Sequence, residues 1–148
     1  MVPNAEGLAS EVWWSPGHPF SSSLTRESSA SLAADYIAMT GKQWTQPIGV
    51  VHALFEVAAD ALKRSPGARD KRGVAEAIRK TDLNTIVGRI AWNGDKTTNP
   101  VPNVAKTPLV GGQWRRGEQF PFDLVVVSNS MAPQVKAAGR LTPIPPAT

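Results

Sequence analysis

The chain has 148 residues, 41% of them hydrophobic and 19% charged, with a formal net charge of +4. That length suits a single domain, and the apolar content excludes a wholly disordered chain. Cysteine is absent, which excludes disulfides, thiolate metal sites and a cysteine nucleophile. The basic residues are scattered. The doublets Lys63-Arg64, Lys71-Arg72, Arg79-Lys80 and Arg115-Arg116 read as solvated helix faces and a hairpin tip rather than a phosphate-binding stripe. No apolar run is long enough to span a bilayer, and Met1 to Glu6 has neither region of a signal peptide.

Leu8 to Trp14 reads as a short buried strand. Ser15-Pro16-Gly17-His18-Pro19 breaks it with a stiff loop. Ser21 to Ser23 offer N-caps for a helix expected from about Thr25 to Thr40, with Leu32, Tyr36 and Met39 on its inner face and Gly41 at its stop. Pro47 marks the first turn of a second helix. Its apolar residues Val50, Val51, Leu54, Phe55, Val57, Ala58, Ala61 and Leu62 form a broad stripe at helical spacing. Ser65-Pro66-Gly67 ends it. A third helix runs from about Asp70 to Lys80, acidic at its start and basic at its end, with Val74, Ala77 and Ile78 inward.

Thr85 to Trp92 then reads as one strand, with Asn93-Gly94 as its turn. A polar loop follows from Thr97 to Lys106. Leu109 to Arg115 and Asp123 to Val127 read as two more strands, bent at Arg116-Gly117-Glu118. Pro121 places the start of the last one on an edge or ahead of its pairing. Pro143 to Thr148 is expected to be extended and frayed. The order is thus strand, three helices, three strands. Helix faces outnumber the strands available to cover them, which implies partner strands outside this chain.

Catalytic signatures are missing. There is no Gly-x-Ser-x-Gly, no phosphate-cradling glycine loop and no His-Glu-x-x-His. Asn93-Gly94-Asp95 lacks the spaced oxygens and late glutamate of a calcium loop. His52 and Glu56 stand four apart, a spacing that suits a metal, but no third ligand is apparent. No enzyme activity, metal or cofactor is expected.

From about Gly7 to Pro133 the chain resembles the C-terminal part of type I periplasmic solute-binding proteins of ABC importers, the class that includes branched-chain amino-acid binders. The resemblance is carried by Glu11-Val12-Trp13-Trp14-Ser15-Pro16, then Ala34-Asp35-Tyr36 to Thr40-Gly41, then His52 to Leu62. It continues through Ala75 to Ile78 into Thr85-Ile86-Val87-Gly88-Arg89-Ile90, and ends with Gln113-Trp114 and Pro121 to Val127. It implies an α/β chain that forms an incomplete part of a two-lobed fold, with three-layer αβα lobes joined by a hinge. On that basis residues 1–16 form a strand and hinge crossing, and 17–86 the helical part of one lobe. Residues 87–133 form the return crossing, placed at Val87 to Ile90, and the closing strands of the other lobe; 134–148 form a tail.

The resemblance further implies capture of a small solute, such as an amino acid, an amide or a small aromatic acid, by lobe closure. The implied partners are the membrane subunits of an ABC permease and the missing N-terminal portion of the fold. The complete protein would be periplasmic or at the cell surface, and this chain a fragment that exposes apolar edges when isolated. A ligand-sensing receptor module of the same fold is the alternative; a basic nucleic-acid-binding protein is a further one, and no nucleic-acid partner is expected.

Four residues are the ligand-binding candidates. His52 falls where the resemblance places a ligand-touching aromatic; alternatively it forms an exposed pair with Glu56. Trp14, Ser15 and Phe20 would line the pocket at the hinge, with Trp13 packing in the core. His18 is expected in solvent, and Trp44 as a staple ahead of its helix.

Overall fold

The structure, a computed structural model, describes residues 5–92 and 101–144. Its elements are β1 (Ala9–Val12), α1 (Ser29–Thr40), α2 (Gln46–Arg64), α3 (Lys71–Arg79), β2 (Asp82–Thr85), β3 (Gly88–Ala91), β4 (Val110–Arg116) and β5 (Phe122–Ser128). β1, β4 and β5 form an antiparallel sheet with β4 in the middle, and β2 and β3 form a separate hairpin. Pro121 stands just before the edge strand β5, where it interrupts no pairing.

Apolar side chains gather into two clusters. Val12, Val110, Leu124, Val126, Ala132 and Val135 pack on the three-stranded sheet. Trp14, Ala33, Ala53, Val57, Ile86, Val87 and Ile90 pack between the helices and the hairpin. Val12 and Trp14 are two residues apart and both fully buried, yet belong to different clusters. The chain therefore passes from one core to the other in a single short step. It passes back between Ala105, which packs on the helical cluster, and Val110 in the sheet cluster. Trp44 packs against both.

The helices follow the expected order with corrected edges and faces. α1 starts at Ser29, not near Thr25, and its cap is Ser28, whose hydroxyl accepts from Ser31 N at 3.1 Å. Ser22 is not a helix cap. Its Oγ accepts from Leu24 N and Thr25 N, both at 3.1 Å, and Arg26 adopts φ +66°, so residues 21–28 fold into a tight turn. The inner face of α1 is Ser29 and Ala33; Met39, expected inward, is 86% exposed.

The broad stripe expected on α2 divides. Small residues and Glu56 face inward: Gly49, Ala53, Glu56, Val57 and Ala61 are buried. Val51, Leu54, Phe55 and Leu62 are exposed. α3 is capped by Asp70, whose carboxylate accepts from Gly73 N at 3.0 Å; Ala77 is buried but Ile78 is exposed.

The single strand expected over Thr85–Trp92 is instead the end of one strand, a two-residue turn at Ile86-Val87, and a second strand. Ile-Val carries no turn chemistry, so the apolar run conceals the reversal. The structure supplies that chemistry from neighbours. Gly88 takes φ +103°, the Thr85 hydroxyl donates to Gly88 O at 2.7 Å, and Ile86 N donates to Glu56. The expected turn at Asn93-Gly94 lies outside the described residues. The segment after β5 is tied down as far as Thr142, because buried Gln113 donates to both Gly7 O and Thr142 O.

Gly49 lets α2 lie directly on the Trp14 indole: a Cβ there would fall 2.3 Å from Trp14 Cγ and Cδ2. Overpacking of this kind costs about 1–3 kcal/mol. We predict that Gly49→Ala lowers the unfolding free energy by about 1–3 kcal/mol, read as a lower urea midpoint. Gly67→Ala, with no neighbour within 4 Å of the new methyl, should leave it nearly unchanged.

Candidate functional site

A cleft of about 690 Å³ opens beside the junction of the two cores. Pro19, Phe20 and Ser21 line it together with Asn84, Thr85, Gly88 and Arg89 of the hairpin. Lys106 to Pro108, in the return passage, and Met131 and Gln134, beside the sheet cluster, complete it. Elements of both cores thus meet in one cavity. Gly88 is at its tightest point: a side chain there would meet Pro108 at 3.1 Å and Phe20 at 3.5 Å, in a backbone conformation that already disfavours one.

Two buried polar groups hold the walls. The Glu56 carboxylate is fully buried and accepts from Ser23 N at 2.5 Å and Ile86 N at 3.0 Å. One side chain on α2 therefore fastens both the loop behind Phe20 and the hairpin turn. Charge-assisted bonds of this kind offset the cost of removing a carboxylate from water. Ser29 does the same from α1. Its Oγ accepts from Trp14 Nε1 at 3.1 Å and lies 3.3 Å from Phe20 O and 3.4 Å from Ile86 O, so its proton is shared between the two carbonyls. Arg89 is held at the rim by a two-pronged contact with Asp82, 2.6 Å at each prong. The guanidinium holds the Asp82 carboxyl below its ordinary range, and the carboxylate raises Arg89 further.

Of the four residues expected to touch ligand, only Phe20 lines this cleft. Trp14 is fully buried and donates to Ser29, so it supports the walls from inside; the exposed member of the pair is Trp13, at 38%. Of the two, Trp14 is thus the core residue and Trp13 the exposed one, and neither lines the cleft. The close approach of Gly49 lets the Trp14 indole face be fully removed from water. Ser15 is buried and bonded to His18.

His52 lines a separate apolar groove of about 400 Å³ with Leu32, Pro47, Ile48, Val51 and Phe55. It lies 2.7 Å from Ser22 Oγ. Both acceptor positions of that hydroxyl are taken by Leu24 N and Thr25 N, so its proton points to His52 Nε2. His52 steadies the turn behind Phe20, and it makes no exposed pair with Glu56, which is buried. The sequence reading considered Glu56 only as a partner of His52 and missed its buried role in holding the walls. An acid between Phe55 and Val57, in the middle of an apolar stripe, was the available signal.

His18, expected in solvent, is buried at 3% exposure. Ser15 N donates to its Nδ1 at 3.0 Å, which puts the ring proton on Nε2, an atom with no partner among the described residues. The ring packs against Phe20 with centroids 6.1 Å apart. Burial holds its pKa down to about 4 from 6.5, against a smaller opposing effect of the Ser15 bond. Among the described residues no cluster of three or more His, Asp or Glu side chains could hold a metal, and no helix is long and apolar enough to cross a membrane.

No protein-family model matches the chain, and no curated protein matches it in sequence. Solved structures do match. The leucine-binding protein LivK of Thermotoga maritima MSB8 superposes with a TM-score of 0.59 at 22% identity, over 85% of this chain and 32% of that one. An ABC transporter substrate-binding protein from Sphaerobacter thermophilus gives 0.57 at 13%, over 84% and 31%. The leucine-, isoleucine-, valine-, threonine- and alanine-binding protein of Brucella ovis, in a closed conformation, gives 0.57 at 19%, over 92% and 34%. The fold is an incomplete type I periplasmic-binding-protein fold. The chain spans about a third of the length of these structures.

Two measurements test the wall supports. Glu56→Ala strands two backbone N–H groups, so it should cost about 2–4 kcal/mol in urea unfolding, and Glu56→Gln, which keeps one acceptor, about half as much. His18 is depressed in the folded state. Its contribution to stability is therefore full above pH 6.5 and is lost as the pH falls from 6.5 towards 4. Over that window the wild type should lose on the order of 2 kcal/mol more than His18→Asn, after allowance for solvent screening.

Proposed function

We propose that the chain is the C-terminal portion of an extracytoplasmic solute-binding protein. It would capture a small solute by lobe closure and present it to the membrane subunits of an ABC permease. The observation that carries this reading is the Phe20 cleft, bounded by the hairpin that packs on one core and by Phe20, Met131 and Gln134 beside the other, on a fold otherwise solved in binding proteins. A solute touching both units stabilises whichever arrangement brings them together.

On this reading Val12 to Trp14 is the outward hinge crossing. The return crossing lies between Ala105 and Val110, not at Val87 to Ile90, because both of those residues pack in the helical core. Phe20 is the proposed ligand contact; Trp14, Ser15 and His52 set the wall behind it. Exposed Val51, Leu54, Phe55 and Leu62 on α2 mark the face on which the remaining portion of the fold would pack. The protein would act in the periplasm or at the cell surface, without catalysis.

The test is a thermal-shift screen of the chain against amino acids, their amides and small aromatic acids. Saturating solute at about 100 times its Kd should add about 2.7 kcal/mol. One chemical class should raise the melting temperature, and Phe20→Ala should remove the effect. A cooperative melt that no solute shifts would contradict the proposal.

A further inference from the structure

A second recess, of about 260 Å³, lies apart from the Phe20 cleft and shares no residue with it. Three of the five tryptophans meet there. Trp13 comes from the passage between the cores, Trp44 from the connection between α1 and α2, and Trp114 from β4. Pro47 and Leu124 add apolar surface, and none of the lining side chains is ionisable.

Each wall is fixed in place. Gln46, the first residue of α2, accepts from Trp13 N at 2.7 Å and donates to Glu11 O at 3.1 Å, which latches the end of β1 to the helix. Trp44 stands edge-on to the buried Trp14, with centroids 5.9 Å apart. Trp114 is directly opposite Leu124 in the β4–β5 register. Gln43 reaches across to β5, its Nε2 donating to Phe122 O at 2.7 Å.

We propose that this recess is a binding site for a small, uncharged aromatic ring. Indole faces and edges hold such rings by offset or edge-on contact. The size agrees: a dry apolar cavity of about 150 Å³ accepts benzene, so this one takes a substituted or fused ring. A sugar is disfavoured because Gln46 spends both ends of its amide, and Gln43 its nitrogen, on the backbone. A carboxylate finds no cation in the lining, and a quaternary ammonium would have only the ring faces to hold it.

The probe is benzyl alcohol, titrated into the ¹⁵N-labelled chain while the tryptophan indole N–H resonances are followed. Those of Trp13, Trp44 and Trp114 should shift with saturation while that of Trp92 stays in place. Cyclohexylmethanol, similar in size without a π face, should bind more weakly, as should tetramethylammonium. Trp13→Leu should weaken binding roughly tenfold and Trp13→Phe much less. Unsaturable shifts, equal shifts at all tryptophans, or equal or tighter binding of either control would overturn the proposal. So would undiminished binding in Trp13→Leu. The wild-type chain alone decides the first three, whether or not a variant folds. A solute in the Phe20 cleft would move the Ser21 and Gly88 amides instead, so the two readings fail separately.

Discussion

The carboxylate of Glu56 sets the geometry on which the rest depends. It sits in the interior of α2, out of water, and its two oxygens face two different chain segments. One is the turn that carries Phe20; the other is the reversal between β2 and β3. Both have local bonds, from the Ser22 hydroxyl in the first and the Thr85 hydroxyl in the second, and both carry a conformational cost. The first has a left-handed arginine, Arg26, and the second turns on two β-branched residues. A buried acid is tolerable only when fully bonded, and a backbone reversal of this kind only when its N–H groups find acceptors. Each difficulty resolves the other. Ser29 repeats the arrangement with a neutral hydroxyl, so two helices grip the same pair of segments from behind.

This division of labour explains why the cleft faces neighbouring elements of both cores without being part of either. The hairpin on the helical core supplies Gly88; the Phe20 ring packs against the sheet core, beside Met131 and Gln134 of the segment after β5. The chain links the cores through short passages. Val12 and Trp14 commit to opposite sides within three residues, and Trp44 spans both. A relative movement of the two units would be absorbed at these passages, since packed interiors resist continuous deformation.

Much of the fold was legible in the sequence. Helical spacing and end signals found α2 and α3 closely, because Pro47, Asp70 and the polar breaks act locally. A short apolar run found β5, and Pro121 placed its start on an edge or ahead of the pairing. The reversal at Ile86-Val87 was not legible, since Ile-Val carries no turn signal and part of its support comes from Glu56, thirty residues earlier in the chain. The same distance hid the roles of His52 and Ser22. Trp13 and Trp14 were correctly seen to face opposite ways, but strand alternation carries no sign, and the close approach of Gly49 decides which one is buried. Of the ligand candidates Phe20 alone reached the cleft. Trp14 and Ser15 are buried behind it and His52 lines a separate groove, and the sequence pattern alone does not separate these places from contact.

The most direct test of this account is amide hydrogen exchange at Ser23 and Ile86. Neither amide belongs to a helix or a strand ladder. If both are anchored on Glu56, they should exchange together, and as slowly as amides in the middle of α2. Exchange of Ser23 at the rate of an unprotected loop amide, with Ile86 still protected, would show that the carboxylate does not join the two walls.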